Sequence, residues 1–154
     1  MSKRHRAAAL LVTASCMTLL VASCDDDRFP HQYPKTDVNV SLEQVLHDHW
    51  IIIPKNAQDV LYSANSELEG YPLLLEFKAA CSEMRVFSKQ NKLTRLPWEK
   101  ASTTTVAASA QELGWAHRAG DYGFKRDPGP TSKRVSVLVS PKGSVCHVWL
   151  DSWS

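Results

Sequence analysis

The chain has 154 residues, 44% of them hydrophobic, with five Trp, four Tyr and four Phe, which suffices for one packed core, leaves no room for two, and excludes wholesale disorder. Its formal charge of +2 overstates its basicity, because Lys3, Arg4 and Arg6 stand in an N-terminal segment ahead of all 16 acidic residues. Without those three, 15 of the 18 basic residues face 16 acidic ones, and this near-neutral balance with no basic stripe excludes a nucleic-acid binder.

The three cations lead into an apolar run from Ala7 to Val21, broken only by Thr13, Ser15, Cys16 and Thr18. It is shorter than the roughly 20 apolar residues that span a bilayer. The run closes on Val21-Ala22-Ser23-Cys24, followed at once by Asp25-Asp26-Asp27. An aliphatic residue, two small residues and a cysteine in this order resemble the lipobox of bacterial lipoproteins. The resemblance implies that residues 1–23 are a signal peptide, that the Cys24 thiol is diacylglycerated, and that cleavage makes Cys24 the new N-terminus. It also implies a place on the extracytoplasmic face of the cell membrane, held by palmitate-type chains whose buried CH₂ groups contribute about 0.8 kcal/mol each. Thr13-Ala14-Ser15-Cys16 is a poorer match, since it begins with Thr and would leave an apolar run on the mature chain.

Of the four cysteines, Cys16 then leaves with the leader and Cys24 carries lipid. Cys81 and Cys146 remain, and in an oxidising compartment they are expected to form one disulfide, with a pair of free buried cysteines as the competing reading. A catalytic thiol is a weaker reading still: His147 follows Cys146 directly, and neighbours on a strand point to opposite faces.

Residues 24–40 read as a lipidated tether, with three aspartates, Pro30 and Pro34, and few aliphatics before Val38; residues 41–154 read as a single globular domain. Ser41-Leu42-Glu43-Gln44 fits a capping box that opens a short helical turn through Val45 and Leu46. Trp50-Ile51-Ile52-Ile53, stopped by Pro54, and Asp59 to Ser63 are strand candidates, and Glu67-Leu68-Glu69-Gly70 supplies a turn before the clearest strand of this half, Tyr71 to Lys78. Ser82 to Asn91 predicts a helix capped by Ser82, with Val86, Phe87 and Leu93 as its apolar face. Between Leu96 and Gly114 the pattern is weak, though Thr105 can cap a helix from Val106 to Leu113 that Gly114 ends. Trp115 to Arg134 reads as a long polar connection around Asp127-Pro128-Gly129-Pro130. A hairpin closes the chain: Val135, Val137 and Val139 alternate with Ser136, Leu138 and Ser140, Pro141-Lys142-Gly143 turns, and the return strand puts Val145, His147 and Trp149 on one face and Cys146, Val148 and Leu150 on the other. The expected architecture is α+β: a small antiparallel sheet of about five strands, one main helix packed on one face and pinned there by Cys81–Cys146, and a long polar loop.

The segment Ile53-Pro54-Lys55-Asn56-Ala57-Gln58-Asp59-Val60-Leu61-Tyr62, with Leu73 to Phe77 and Phe87 beyond it, resembles a group of actinobacterial surface lipoproteins. In that group a Pro-x-x-Ala-x-Asp-Val-x-Tyr run leads into a strand ending in Phe and a short helix. The resemblance covers about 40 residues, implies a surface lipoprotein, and brings no activity or catalytic residue with it. The chain departs from the pattern in its Thr-rich segment, Ser102 to Thr105.

Two residue sets invite a functional reading. His47-Asp48-His49 could begin a zinc site if extended, but it needs a further ligand from His31, His117 or His147, so no metal and no cofactor is assigned. Of the five tryptophans, core packing accounts for Trp50 and Trp149, while Trp98, Trp115 and Trp153 fall in loops or at the terminus and are expected to line a binding groove. No G-x-S-x-G, Gly-rich phosphate loop or H-E-x-x-H is present. The leading expectation is a membrane-tethered binding module, not an enzyme, that contacts an envelope protein or a cell-wall ligand through its loop aromatics. The second is an envelope hydrolase or metal-dependent enzyme built on the histidines.

Overall fold

A strand that alternates apolar and polar residues keeps one wet face, whereas a strand apolar on both sides needs cover above and below. The C-terminal pair is of the second kind. The computed structural model describes residues 29–34, 36–129 and 133–153, so the lipobox and Cys24 lie outside the described residues. In chain order the elements are α1 (Leu42–His49), β1 (Gln58–Ala64), β2 (Leu73–Ala80), a 3₁₀ turn (Cys81–Glu83), α2 (Met84–Gln90), β3 (Thr94–Leu96), α3 (Trp98–Ala101), α4 (Thr105–Glu112), β4 (Tyr122–Arg126), β5 (Arg134–Lys142) and β6 (Val145–Trp153). The strands make one antiparallel sheet in the order β1-β2-β6-β5-β4-β3. Among the described residues no helix is long and apolar enough to cross a membrane.

On one face, Leu73, Leu75 and Phe77 of β2 join Val135, Val137 and Val139 of β5 and Val148 and Leu150 of β6; α1 and α2 cover them with Val45, Met84 and Phe87. On the other, Leu138 and Trp149 are covered by Val106, Ala107 and Ala110 of α4 and by Trp115. The expected α+β class therefore holds, but with six strands where about five were expected. The single main helix is replaced by four short ones shared between two faces. The 24–40 segment, read as a tether, lies against the sheet from Gln32 onward: Gln32 pairs with Tyr62, Tyr33 is buried, and Val38 joins the core.

Local chemistry explains where the helices stop. Ser41 Oγ accepts the Gln44 N–H at 3.2 Å, as the capping box requires, but α1 runs on to His49. It ends in a Schellman motif, with Trp50 in the left-handed region at φ 57°, its N–H on His47 O at 3.1 Å, and the Ile51 N–H on Leu46 O at 2.9 Å. The same pair of bonds closes α2 with Lys92 at φ 54° and α4 with Gly114 at φ 88°. Glycine suits this position; a tryptophan or lysine there costs about 1 kcal/mol or more. Trp50 to Ile53 consequently forms no strand. The backbone groups of Ile52 are taken instead by the buried Asn91 side chain, whose Oδ1 accepts the Ile52 N–H and whose Nδ2 donates to Ile52 O, both at 2.8 Å.

Four other expectations are corrected. Ser82 sits inside the 3₁₀ turn and makes no cap bond, and Val86 is exposed while Met84 takes its place in the core beside Phe87. Thr105 is the first residue of α4 rather than its cap, and its hydroxyl donates to Asp151 on β6, tying the helix to the sheet. The long polar loop contains β4, whose backbone pairs with β5 from Tyr122↔Val139 to Arg126↔Val135. The final turn is Gly143-Ser144, with Pro141 inside β5 beyond the last β4 partner, where no donor is needed.

The disulfide forms as expected between Cys81, at the head of the 3₁₀ turn, and Cys146 on β6, across a Cα–Cα distance of 4.9 Å. Replacing both cysteines by Ala is expected to lower unfolding free energy by about 2–4 kcal/mol, read as a shift in denaturant midpoint; an unmoved midpoint would contradict it. Gly123 of β4 is a second pressure point, because a Cβ there would lie 2.6 Å from Ala101 Cβ and 3.0 Å from Val137 O. Gly123→Ala should cost about 1–3 kcal/mol, part of which Ala101→Gly in the same chain recovers.

Candidate functional site

Strand alternation puts His147 and Trp149 of β6 on the face covered by α4. Their cross-strand partners bring Lys78 and Glu76 from β2 and Ser140 and Leu138 from β5 to the same place. The Schellman turn at Gly114 swings the chain back so that Trp115, its N–H on Ala110 O at 2.9 Å, drops onto Trp149. The result is a row of five rings. His117 stacks on Trp98 at 3.9 Å and 12°, Trp98 meets Trp115 at 5.9 Å, Trp115 meets Trp149 at 6.2 Å, and Trp149 meets His147 at 3.9 Å. Such offset and edge contacts are each worth about 0.5–1.5 kcal/mol beyond area burial.

Beside this row lies a groove of about 500 Å³, walled by Trp115, Trp149 and His147, with buried Ser140 beneath and Lys78, Arg118 and Lys142 around it. No Asp or Glu lines it. Lys78 is engaged by Asp59 at 2.8 Å, whereas the Arg118 and Lys142 side chains have no polar partner among the described residues. Glu76 is fully occupied: His147 Nε2 donates to Oε1 at 2.5 Å and Tyr33 Oη donates to Oε2 at 2.7 Å. Burial raises the Glu76 pKa, but those two bonds together outweigh it and hold the carboxyl below its ordinary range. The same carboxylate and the burial of Tyr33 push the phenol far upward. The indole N–H groups of Trp115 and Trp149 are buried without an acceptor among the described residues. The groove thus offers ring faces and cationic donors and few acceptors, which favours a ring-bearing, acceptor-rich anion.

Trp98 and Trp115 are in ring contact, but Trp115 is buried and Trp98 does not line the groove, and Trp153 does not join them. It lies two alternations beyond Trp149 on β6, roughly 13 Å along the strand, beneath the Arg134 guanidinium at 4.7 Å. Trp149, assigned to the core, is buried but also links Trp115 to His147 in the row, and Trp50, assigned likewise, is 66% exposed. Sequence reasoning missed Arg118, Lys78 and Lys142, and weighed His117 and His147 only as metal ligands. The alternation of His147 with Trp149 was the one available signal.

His47-Asp48-His49 is helical, so its two imidazoles diverge. His47 is exposed, with Nδ1 3.3 Å from its neighbour Asp48, and His49 is fully buried. His31 is exposed, and His117 Nδ1 lies 3.4 Å from Asp121. Among the described residues no three His, Cys, Asp or Glu side chains gather to hold a metal ion. Comparison with known proteins finds no match to the chain, whether among family models, curated proteins or solved structures.

His49 Nε2 faces Lys133 Nζ at 3.4 Å, which makes that nitrogen an acceptor, and Nδ1–H therefore donates to Ser152 Oγ at 2.8 Å. Burial first, then Lys133, push its pKa from 6.5 down to about 3. Below pH 6.5 the unfolded chain takes up a proton that the folded chain refuses, so the His49 contribution is intact above 6.5 and is lost as pH falls toward 3. Denaturant midpoints should fall over that window with a slope of at most about 1.4 kcal/mol per pH unit, and His49→Gln should flatten the curve. A slope unchanged in the variant would contradict the assignment.

Proposed function

We propose that the chain is an extracytoplasmic lipoprotein, cut before Cys24 and held at the cell membrane by lipid on that residue, whose domain binds an acidic polymer of the cell envelope. The observation that carries the binding half is the groove in which Trp115, Trp149 and His147 meet Lys78, Arg118 and Lys142 with no lining carboxylate. Aromatic faces stack on rings, and Arg118 and Lys142, whose side chains have no polar partner among the described residues, select rings that bear carboxylates or phosphates. The anchoring half is supported by the Val21-Ala22-Ser23-Cys24 motif and its positive, apolar leader. The Cys81–Cys146 disulfide fits an oxidising compartment.

The hydrolase reading has one observation in its favour: Ser140 stands directly across the β5–β6 pair from His147, which Glu76 holds. Among the described residues no side-chain hydrogen bond joins Ser140 to His147. Glu76 engages the Nε2 of that ring, and the binding reading is preferred.

Titration of tryptophan fluorescence with a uronic-acid oligosaccharide and with its carboxyl-reduced counterpart tests the groove. The acid is expected to bind and the reduced form to bind much more weakly. Arg118→Gln and Lys142→Gln should each weaken binding roughly tenfold, the loss of a charge-assisted bond of about 1.5 kcal/mol. Equal binding of the two sugars, or wild-type affinity in both variants, would refute the assignment. Intact mass of protein from the native membrane tests the anchor: a chain beginning at Cys24 with a diacylglyceryl adduct, absent from Cys24→Ala, is expected.

A further inference from the structure

We propose that the ends of α1 and α2 form a second site, a patch that docks on the anionic surface of a lipid bilayer. Trp50, Ile52 and Val86 are 66%, 54% and 53% exposed. They are neighbours: Trp50 and Ile52 line one depression of about 560 Å³, Ile52 and Val86 line a second of about 320 Å³, and Gln90 borders both. Exposed aliphatic and aromatic side chains grouped in this way mark an interaction surface rather than scattered apolar exposure.

The backbone holds these side chains outward against its own preference. Trp50 and Lys92 both occupy left-handed cap positions that suit glycine, and both line the first depression. Arg126 gathers the two helix ends, donating to His49 O at 2.8 Å and to Trp50 O and Asn91 O at 3.2 Å each. It serves as the cation at two negative helix termini. Asn91 grips Ile52 from both sides of its peptide. A strained conformation fixed by the buried Asn91 and half-buried Arg126 side chains points to a use for what it displays.

Charge identifies the occupant. Lys55, Lys92 and Arg126 line the two depressions, Lys89 lies one turn from Val86 on α2, and the carboxylate lining them is Glu83. A tryptophan with aliphatic neighbours inside a ring of lysines suits the headgroup region of a bilayer rich in anionic lipid, where the rings enter the interface and the cations meet phosphate. The site does not require the Cys24 lipid, and one experiment separates the two.

In the full-length mature protein, Gln90→Cys supplies a single free thiol for a nitroxide at the centre of the patch, with Leu68→Cys as a control elsewhere. In phosphatidylglycerol vesicles the label at position 90 is expected to become accessible to oxygen and shielded from a water-soluble chelate. In phosphatidylcholine vesicles, and at position 68 in both, it should stay water-accessible. Trp50→Gly should abolish the immersion without lowering the denaturant midpoint, since glycine suits that cap. Lys89→Gln with Lys92→Gln should lower the ratio of immersed to exposed label by about fivefold per cation. A label at position 90 equally water-exposed in both vesicle types would overturn the proposal. So would one immobilised in vesicle-free solution as protein concentration rises, which would mean that a second copy covers the patch. Co-sedimentation with the phosphatidylcholine vesicles reads the lipid anchor separately, whatever the label reports.

Discussion

Val135 to Ser140 are buried without a break, as are Cys146 and Val148 to Ser152, so the β5–β6 pair meets water on neither face along most of its length. Such a pair in an antiparallel sheet has to be covered twice, and the rest of the molecule answers that requirement. The early half of the chain supplies α1 and α2 for one side, with Phe77 and Phe87 in edge-to-face contact at 5.6 Å beneath them. The middle of the chain supplies α3 and α4 for the other, where small residues let the helices approach: Ala101 over Gly123, Ala107 and Ala110 over Leu138 and Trp149. The disulfide joins the first layer to β6 itself, and the Thr105–Asp151 hydrogen bond does the same for the second.

Three helices in this chain end in the same Schellman geometry, and only one of them uses the residue that the geometry prefers. At α4, Gly114 adopts the left-handed turn freely and brings Trp115 under the sheet-covering helix. At α1 and α2 the position falls to Trp50 and Lys92, and the backbone is kept there by Arg126 and Asn91, two side chains that sequence order places far from α1. Cα strain at two adjacent caps is therefore balanced by a shared set of side-chain donors.

The same contrast explains what could be read in advance. The Ser41 N-cap, the glycine stop at Gly114 and the alternation from Val135 to Leu150 are local signals whose physics lies within a few residues, and the structure follows each of them, although the Gln44 side chain turns to Asp48 rather than closing the capping box. The apolar run Trp50 to Ile53 was misread because its fate depends on Asn91 and Arg126, which claim the backbone of Ile52 and Trp50 from 39 and 76 residues away. β4 escaped notice because Gly123 interrupts its apolar pattern, and its pairing with β5 is what makes it a strand. At the candidate site, Trp98 and Trp115 were legible as loop aromatics, whereas the cationic margin comes from three separate segments that only the sheet order brings together.

The double cover also sets a distance. The Trp50, Ile52 and Val86 patch belongs to the α1/α2 side and the aromatic groove to the α3/α4 side, so a helix layer roughly 10 Å thick and the sheet itself stand between them. That separation exceeds the Debye length of about 8 Å at physiological ionic strength. In the proposed docking, mobile ions of the surrounding solution screen the negative potential of a bilayer over that distance, so an acidic polymer at the proposed groove would meet Arg118 and Lys142 without competing with the headgroups. The sheet would then let one small domain present positive charge to two polyanions at once.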